Sequence, residues 1–267
     1  MGSTIFKNPP PTTKVTILSF PAPHIVLITI NRPDVLNALD IPAHFELDEV
    51  FNWYHSEPEL WAAIITGAGE KAFCAGLDLK SVVGKNIPQY TDFPQSGFGG
   101  LSRRTKGLKP VIAAVRGFAI GGGMEMVLAC DIVVASENSV FGLPEVKRGL
   151  AALTGYQRAC ELAMTGRHIS AKECKELGVV NEVVQDSKLV IPTALKYATR
   201  IVSNSPDAVQ ISKLAILLSL ESASLTEANR KNSTSKETKA WMNGENVKEG
   251  LRAFVEKRSP KWKNSKL

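Results

Sequence analysis

Three glycines in succession, Gly121 to Gly123, lie between an apolar, β-prone run (Val111 to Val115, then Gly117-Phe-Ala-Ile) and a short helical stretch from Met124 to Ala129. A backbone stripped of side chains where a strand hands over to a helix leaves the first helical N–H groups uncovered. An anion or a polarised carbonyl can then approach them. The same pattern precedes it: Ala62 to Thr66 reads as a short buried strand ending at Gly67-Ala-Gly69, and Ala72-Phe-Cys-Ala-Gly-Leu-Asp-Leu-Lys80 is a second glycine-bearing turn. Two such turns could supply two backbone donors, one each, for the oxyanion of an enolate, although the glycines alone fit a tight turn without a ligand as well. The spacing fits neither a P-loop nor a dinucleotide fingerprint, since no G-K-[ST] follows and G-x-G-x-x-G is absent.

Around these turns the chain alternates strand and helix, which predicts α/β layering. Val15 to Phe20 and Ile25 to Ile30 read as antiparallel strands around Pro21-Ala-Pro23. Ile41 to Tyr54 has helical periodicity with Pro42 near its start, and Ile132 to Ala135 is a further strand closed by a polar turn at Ser136 to Ser139. After Ser170, which caps the next helix with Glu173 three residues on, the pattern is helical: Ala171 to Leu177, Val190 to Ser203, Pro206 to Ser219 and Thr226 to Met242. The expected division is an extended, flexible arm over 1–13, a core over 14–205, a helical region over 206–260 and a flexible tail over 261–267. The helical region would bury its apolar stripe against the core or another subunit.

Composition narrows the class. Hydrophobic residues at 44% and charged residues at 22% are ordinary for a packed globular chain, and no stretch approaches the roughly 18 apolar residues that span a bilayer. The formal charge of +6 is concentrated from Lys231 onward, where Lys and Arg outnumber Glu and Asp is absent. That charge suits a solvated helical face as well as an acidic surface or a phosphate-bearing ligand, and without a zinc-finger, RRM or basic-zipper pattern nucleic acid is the weakest reading. Cys74, Cys130, Cys160 and Cys174 form no C-x-x-C pair and read as reduced thiols, and four scattered histidines suggest no metal site. The chain ends in Ser265-Lys266-Leu267, the tripeptide address read by the peroxisomal import receptor, which predicts residence in the peroxisomal matrix.

Glu125, in the first helical turn after the glycines, and Glu145, after Pro144, are each unremarkable alone. Together with their surroundings they are not. Lys109-Pro-Val-Ile-Ala-Ala-Val, Gly117 to Glu125, Ala129-Cys-Asp-Ile-Val-Val-Ala-Ser-Glu137 and Phe141-Gly-Leu-Pro-Glu145 closely resemble the core signature of the crotonase (enoyl-CoA hydratase/isomerase) superfamily. Asn31-Arg-Pro with Leu36-Asn-Ala-Leu39, and Ala72 to Lys80, are similar to its upstream elements. Met164-Thr-Gly-Arg and Glu249 to Arg258 resemble its downstream ones.

The resemblance implies a spiral of ββα units with a C-terminal helical region that builds trimers or hexamers. It implies an acyl thioester of coenzyme A as substrate, with no separate cofactor. Carried over by position, Glu125 and Glu145 become an acid/base pair, and the Leu77 and Gly122 N–H groups an oxyanion hole. Ala75, Gly76, Leu77, Asp78, Leu79 and Lys80 line the coenzyme A groove, with Asp34 and Val35 beside them, Gly121 and Pro144 adjoining, and Lys257 near the phosphates. Two carboxylates favour hydration of an α,β double bond; an isomerase using one of them and a catalytically impaired acyl-CoA binder are the alternatives. One departure stands out: Gly149 to Arg158 is about ten residues shorter than the superfamily pattern, which predicts a displaced Glu145 loop.

Overall fold

The computed structural model describes residues 6–83, 88–104, 107–145 and 157–267. Strand β1 (Thr16–Ala22) pairs antiparallel with β2 (Ile25–Ile30) and runs through Pro21 by a bulge after Ser19, so the reversal falls at His24, in the left-handed region, and not at Pro21. Helix α1 (Ile41–Ser56) follows. Its Asp40 cap accepts the Ala43 N–H at 3.0 Å, and Pro42 fits the first turn, where no N–H is needed.

The chain then visits two sheets in turn. β3 (Ala62–Gly67), β5 (Val111–Val115) and β7 (Ile132–Ser136) enter a six-stranded sheet of order β1-β2-β3-β5-β7-β10, closed by β10 (Glu182–Val184). β4 (Ala72–Cys74), β6 (Phe118–Ile120) and β8 (Val140–Gly142), each next in sequence to one of those, enter a four-stranded sheet that ends at β9 (His168–Ser170). From β2 to β10 the large sheet is parallel, with Ile25 opposite Ala62 and Ala63 opposite Val111. This stepwise placement of one strand per sheet is the expected spiral. The short helix α2 (Gly122–Leu128) follows β6, and α3 (Gln157–Thr165) precedes β9.

Burial on both faces explains why the central strands read as continuous apolar runs. Ala63, Ile65, Ala113 and Val133 face a core shared with α1 and Phe73, whereas Ala62, Ile64, Ile112 and Val134 face Val190, Ala194 and Ala198 of α5 (Val190–Val202). Ser170 caps α4 (Ala171–Glu176) as expected, its Oγ accepting the Glu173 N–H at 3.1 Å.

Three expectations are corrected. The Thr226–Met242 helix is two, α7 (Leu225–Thr234) and α8 (Lys236–Met242), because Ser235 adopts an extended backbone and its hydroxyl accepts the Thr238 N–H at 3.1 Å. The N-terminal arm is docked from Phe6: its ring packs on Phe20 and Trp53, and the Lys7 and Asn8 N–H groups reach Glu57. The end of the chain is also tied down. Beyond α6 (Pro206–Glu221) and α9 (Glu245–Val255), Asn246 accepts the Lys263 N–H and donates to the Lys263 carbonyl, both at 2.9 Å. Asn264 accepts from the Trp61 indole at 3.0 Å and donates to Glu59 at 2.5 Å. Side chains more than 200 residues away anchor the tail.

Candidate active site

The two glycine turns meet. Gly76 has φ +91°, and a Cβ built there would lie 3.0 Å from the Ile120 carbonyl and 3.5 Å from the Gly122 nitrogen. Its side-chain-free face therefore sits against the second turn, and the next residue, Leu77, shares that junction. Among the described residues, neither the Leu77 nor the Gly122 N–H donates to another backbone carbonyl.

Each of the three glycines has its own reason to be one. At Gly121, with φ +59°, a Cβ would stand 3.2 Å from Glu145 Oε1. At Gly122 it would enter the Phe98 ring (2.4 Å), and at Gly123 it would meet the Cys74 carbonyl at 2.1 Å. The triplet lets β4, the Phe98 segment and Glu145 all close on the start of α2.

Residues 32–39 brace the first turn. Leu39 and Leu77 form a parallel bridge, with Leu39 N–H donating to Gly76 O (2.9 Å) and Asp78 N–H to Leu39 O (2.8 Å). Leu36 and Asn37 adopt φ of 56° and 55° to make the bend. Such a conformation persists only where its surroundings hold it. Here buried Asn37 donates to the Ala68 and Ala72 carbonyls (2.9 and 2.7 Å) and accepts the Arg32 N–H (3.0 Å). Arg32 in turn pairs with Asp40 (2.9 Å) and Asp78 (3.2 Å). Asp78, expected as a groove residue, thus also braces the turn.

Glu125 lies on the first turn of α2, half-buried. Burial lifts its pKa above the ordinary carboxylate range, while the charge of Arg103 and a hydrogen-bonding approach of the Ser102 hydroxyl pull it back. Glu145 follows buried Pro144, and its Oε1 lies over Gly121. The expected displacement of the Glu145 loop falls on residues 146–156, which lie outside the described residues. The structure thus sets Gly76, with Leu77 next to it, and Glu145 Oε1 against the Gly121–Gly122 start of α2, whose first turn carries Glu125.

Of the remaining expected residues, Ala75 and Val35 are half-buried and Asp34, Leu79 and Lys80 exposed along the braced turn. Lys257 stands apart at the end of α9, exposed with φ 52°. Among the described residues no group of three or more His, Cys, Asp or Glu is placed to hold a metal. All four cysteines are free thiols, and burial raises the Cys74 pKa to about 12.

The segment 96–104 escaped the sequence reading. Phe98 lies on Gly122, Gly99 on the Met126 side chain, and the Gly99 N–H donates to Nδ1 of fully buried His44 at 2.9 Å. The run Gly97-Phe-Gly-Gly100, with all three glycines at positive φ, was its available signal.

This architecture has known counterparts. The sequence matches the enoyl-CoA hydratase/isomerase family over residues 22–265. The chain belongs to that family. It is accordingly an enzyme of the hydratase/isomerase type, with the crotonase fold. It is 45% identical to mevalonyl-coenzyme A hydratase sidH of Aspergillus fumigatus, over 96% of this chain and 98% of that protein. It is 39% identical to a carnitinyl-CoA dehydratase of Escherichia coli, over 90% and 95%. The crystal structure of an enoyl-CoA hydratase from Bacillus anthracis superposes with a TM-score of 0.86 at 35% identity, covering 94% of this chain and all of that one. The alignment with sidH spans 272 positions, whereas 96% of this 267-residue chain is about 256, so about 16 positions face gaps in this chain.

Proposed function

We propose that the protein adds water to, or removes it from, the C2–C3 bond of an acyl thioester of coenzyme A, and that its substrate is of the mevalonyl type. The observation that supports the reaction is that Gly76 of the first turn lies against the Gly122 nitrogen while Glu145 Oε1 lies over Gly121, at the start of the helix whose first turn carries Glu125. The likeness to sidH along nearly the whole of both chains supports the substrate.

A thioester oxygen between the Leu77 and Gly122 N–H groups is polarised toward an enolate, and each such donor is worth about 3 kcal/mol of barrier. In hydration, water oxygen bonds to C3 and gives a proton to one glutamate. The π electrons move into the thioester as the enolate, and the second glutamate protonates C2. Dehydration of a 3-hydroxyacyl group retraces these steps. The raised pKa of Glu125 suits a group that must take up a proton and release it. The coenzyme A portion runs along Asp34, Val35 and Ala75 to Lys80, and Lys257, which stands apart within one chain, serves its phosphates across a subunit boundary. A mevalonyl group carries its hydroxyl at C3, where removal of water gives a conjugated thioester.

We further propose subunit association through the helical region, where Leu251, Phe254 and Val255 are 66%, 85% and 79% exposed, and delivery to peroxisomes by Ser265-Lys266-Leu267. The gapped alignment favours, as a second reading, a binder with impaired chemistry. One assay separates the two: the conjugated-thioester absorbance followed from mevalonyl-CoA and from a short 2-enoyl-CoA. Water exchange on the mevalonyl thioester with the higher kcat/KM is expected. Turnover of the short enoyl thioester alone would sink the substrate assignment, and binding of both without turnover would sink the hydratase.

A further inference from the structure

The direction of the Leu77 N–H follows from its neighbours' bonds. In the parallel bridge between Leu39 and Leu77, the Leu39 N–H donates to the Gly76 carbonyl and the Leu39 carbonyl accepts the Asp78 N–H. Both bonds therefore use the residues on either side of Leu77. Successive N–H groups of an extended chain point to opposite sides, so Leu77 turns its own N–H away from Leu39. The Ala75 N–H adds a third bond, to the Leu36 carbonyl at 3.1 Å. All three bonds that aim this donor end on residues 36–39.

That stretch is not self-supporting, because Leu36 and Asn37 both hold left-handed angles that a Cβ disfavours. Arg32 supports it through its backbone and its side chain. Its N–H donates to the Asn37 side-chain oxygen at 3.0 Å, and its carbonyl accepts the Asn37 N–H at 2.9 Å. Its guanidinium donates to the Ala38 carbonyl and pairs with Asp40 at 2.9 Å and Asp78 at 3.2 Å. Asp78 directly follows Leu77. One side chain thus spans the bridge, with residues 38 and 40 on one side and 78 on the other. The Arg32 and Asp78 side chains are only 16% and 12% exposed, so water screens their attraction weakly.

We propose that Arg32 is a positioning residue for the reaction: its guanidinium ties residues 38 and 40 to Asp78 and so sets the direction of the Leu77 N–H against the thioester oxygen. This rests on the hydratase reading above and adds to it a group that touches no reacting atom. A guanidinium suits the task because its rigid planar fork serves a carbonyl and two carboxylates at once, whereas an ammonium group is a point charge on a flexible stem. A misdirected oxyanion donor loses stabilisation of the transition state, while binding along the coenzyme A groove is nearly untouched.

The test compares full-length wild type, Arg32→Lys and Arg32→Gln at equal folded concentration. On the mevalonyl thioester, kcat should fall about ten- to a hundredfold in Arg32→Gln and less in Arg32→Lys, with dissociation constants within about threefold of wild type. The second readout is the infrared carbonyl stretch of a bound saturated acyl-CoA, isotopically labelled at its carbonyl carbon. This thioester has no double bond to hydrate and no 3-hydroxyl to lose. Hydrogen bonding to the oxygen lowers the frequency, so the lowering should be greatest in wild type, smaller in Arg32→Lys and smallest in Arg32→Gln, where Gly122 still donates. A role in folding alone would reduce the folded fraction and leave the frequency in the folded protein unmoved. Wild-type kcat in Arg32→Gln, or one frequency shared by all three proteins, overturns the proposal. If wild type turns over no thioester while the frequencies keep the expected order, the hydratase reading fails and the Arg32 assignment stands.

Discussion

The turns around Gly76 and Gly122 and the helices after Pro206 are built in opposite ways. In the turns, backbone lies on backbone: the Gly123 Cα rests on the Cys74 carbonyl and Gly76 on Ile120, and the supporting polar groups of Asn37 and His44 are buried. The helical region carries side-chain pairs at its surface, such as Arg258 with Glu249 at 2.6 Å and Lys231 with Glu227 at 3.1 Å. Apolar groups there stay exposed, among them Leu220 at 79% and Phe254 at 85%. Close backbone packing fixes atoms to a fraction of an ångström, which an oxyanion site needs. Exposed side-chain pairs contribute little stability each and leave a surface able to meet another.

The largest effects should fall on the turns. Glu125→Gln and Glu145→Gln are each expected to lower turnover by roughly 10² to 10⁴ with thioester binding nearly intact, measured as kcat and as a dissociation constant from titration. Wild-type turnover by either variant would break the two-carboxylate reading, and survival of Glu145→Gln alone would favour an isomerase. Next is Gly123→Ala. Its Cβ would stand 2.1 Å from a backbone oxygen that cannot rotate away, so a loss of about 3 kcal/mol is expected in urea unfolding. Phe254→Ala, in the other region, should change the stability of the single chain by less than about 0.5 kcal/mol while weakening association seen by sedimentation. Equal losses from both would erase the contrast.

What the sequence disclosed follows the same division. Glycines that touch backbone leave a local mark, so the turns were legible from Gly121, Gly76 and their neighbours, and the α/β alternation from the apolar periodicity around them; Glu125 and Glu145 stood out only through the family resemblance. The support was not. Phe98 gains meaning only where its ring meets Gly122, and His44 reads as one more residue of an amphipathic helix until Gly99 is found against it. Ser235 interrupts no periodicity, because serine also sits inside helices, and its cap shows only in its backbone angles. Asn264 and Trp61 are 203 residues apart, beyond any local pattern.

His44 offers an effect with a defined sign, seen only as the pH is lowered. Burial lowers its pKa from 6.5 to about 4, and its unprotonated Nδ1 accepts the Gly99 N–H. The folded state therefore prefers the neutral ring. The stability tied to this preference is complete above about pH 6.5 and is lost as pH falls toward 4, reaching about 3 kcal/mol. His44→Asn keeps an acceptor without a titrating group. Unfolding free energies at pH 7, 5.5 and 4.5 should fall more steeply in wild type than in His44→Asn. Parallel curves would show that His44 does not hold the segment through its neutral form.

The smallest expected effect lies at the end of the chain. Asn264 takes the Trp61 indole N–H and gives a hydrogen bond to Glu59, and Asn246 clamps Lys263 on both sides, so residues 263 and 264 are fixed. Past them, Lys266 meets Glu245 at 3.2 Å, an exposed ion pair that contributes little. Asn264→Ala removes two hydrogen bonds at a partly buried site, for about 1 kcal/mol. The expected reading is faster amide exchange or proteolysis confined to residues after Pro260, with kcat unchanged. Deleting Ser265-Lys266-Leu267 removes nothing the body rests on, so unfolding should not move, while a fluorescent fusion carrying the truncation at its free end should leave peroxisomes for the cytosol. If that deletion lowered stability as much as Asn264→Ala, the last three residues would belong to the clamp. If the fusion stayed in peroxisomes, the tripeptide would not be the address.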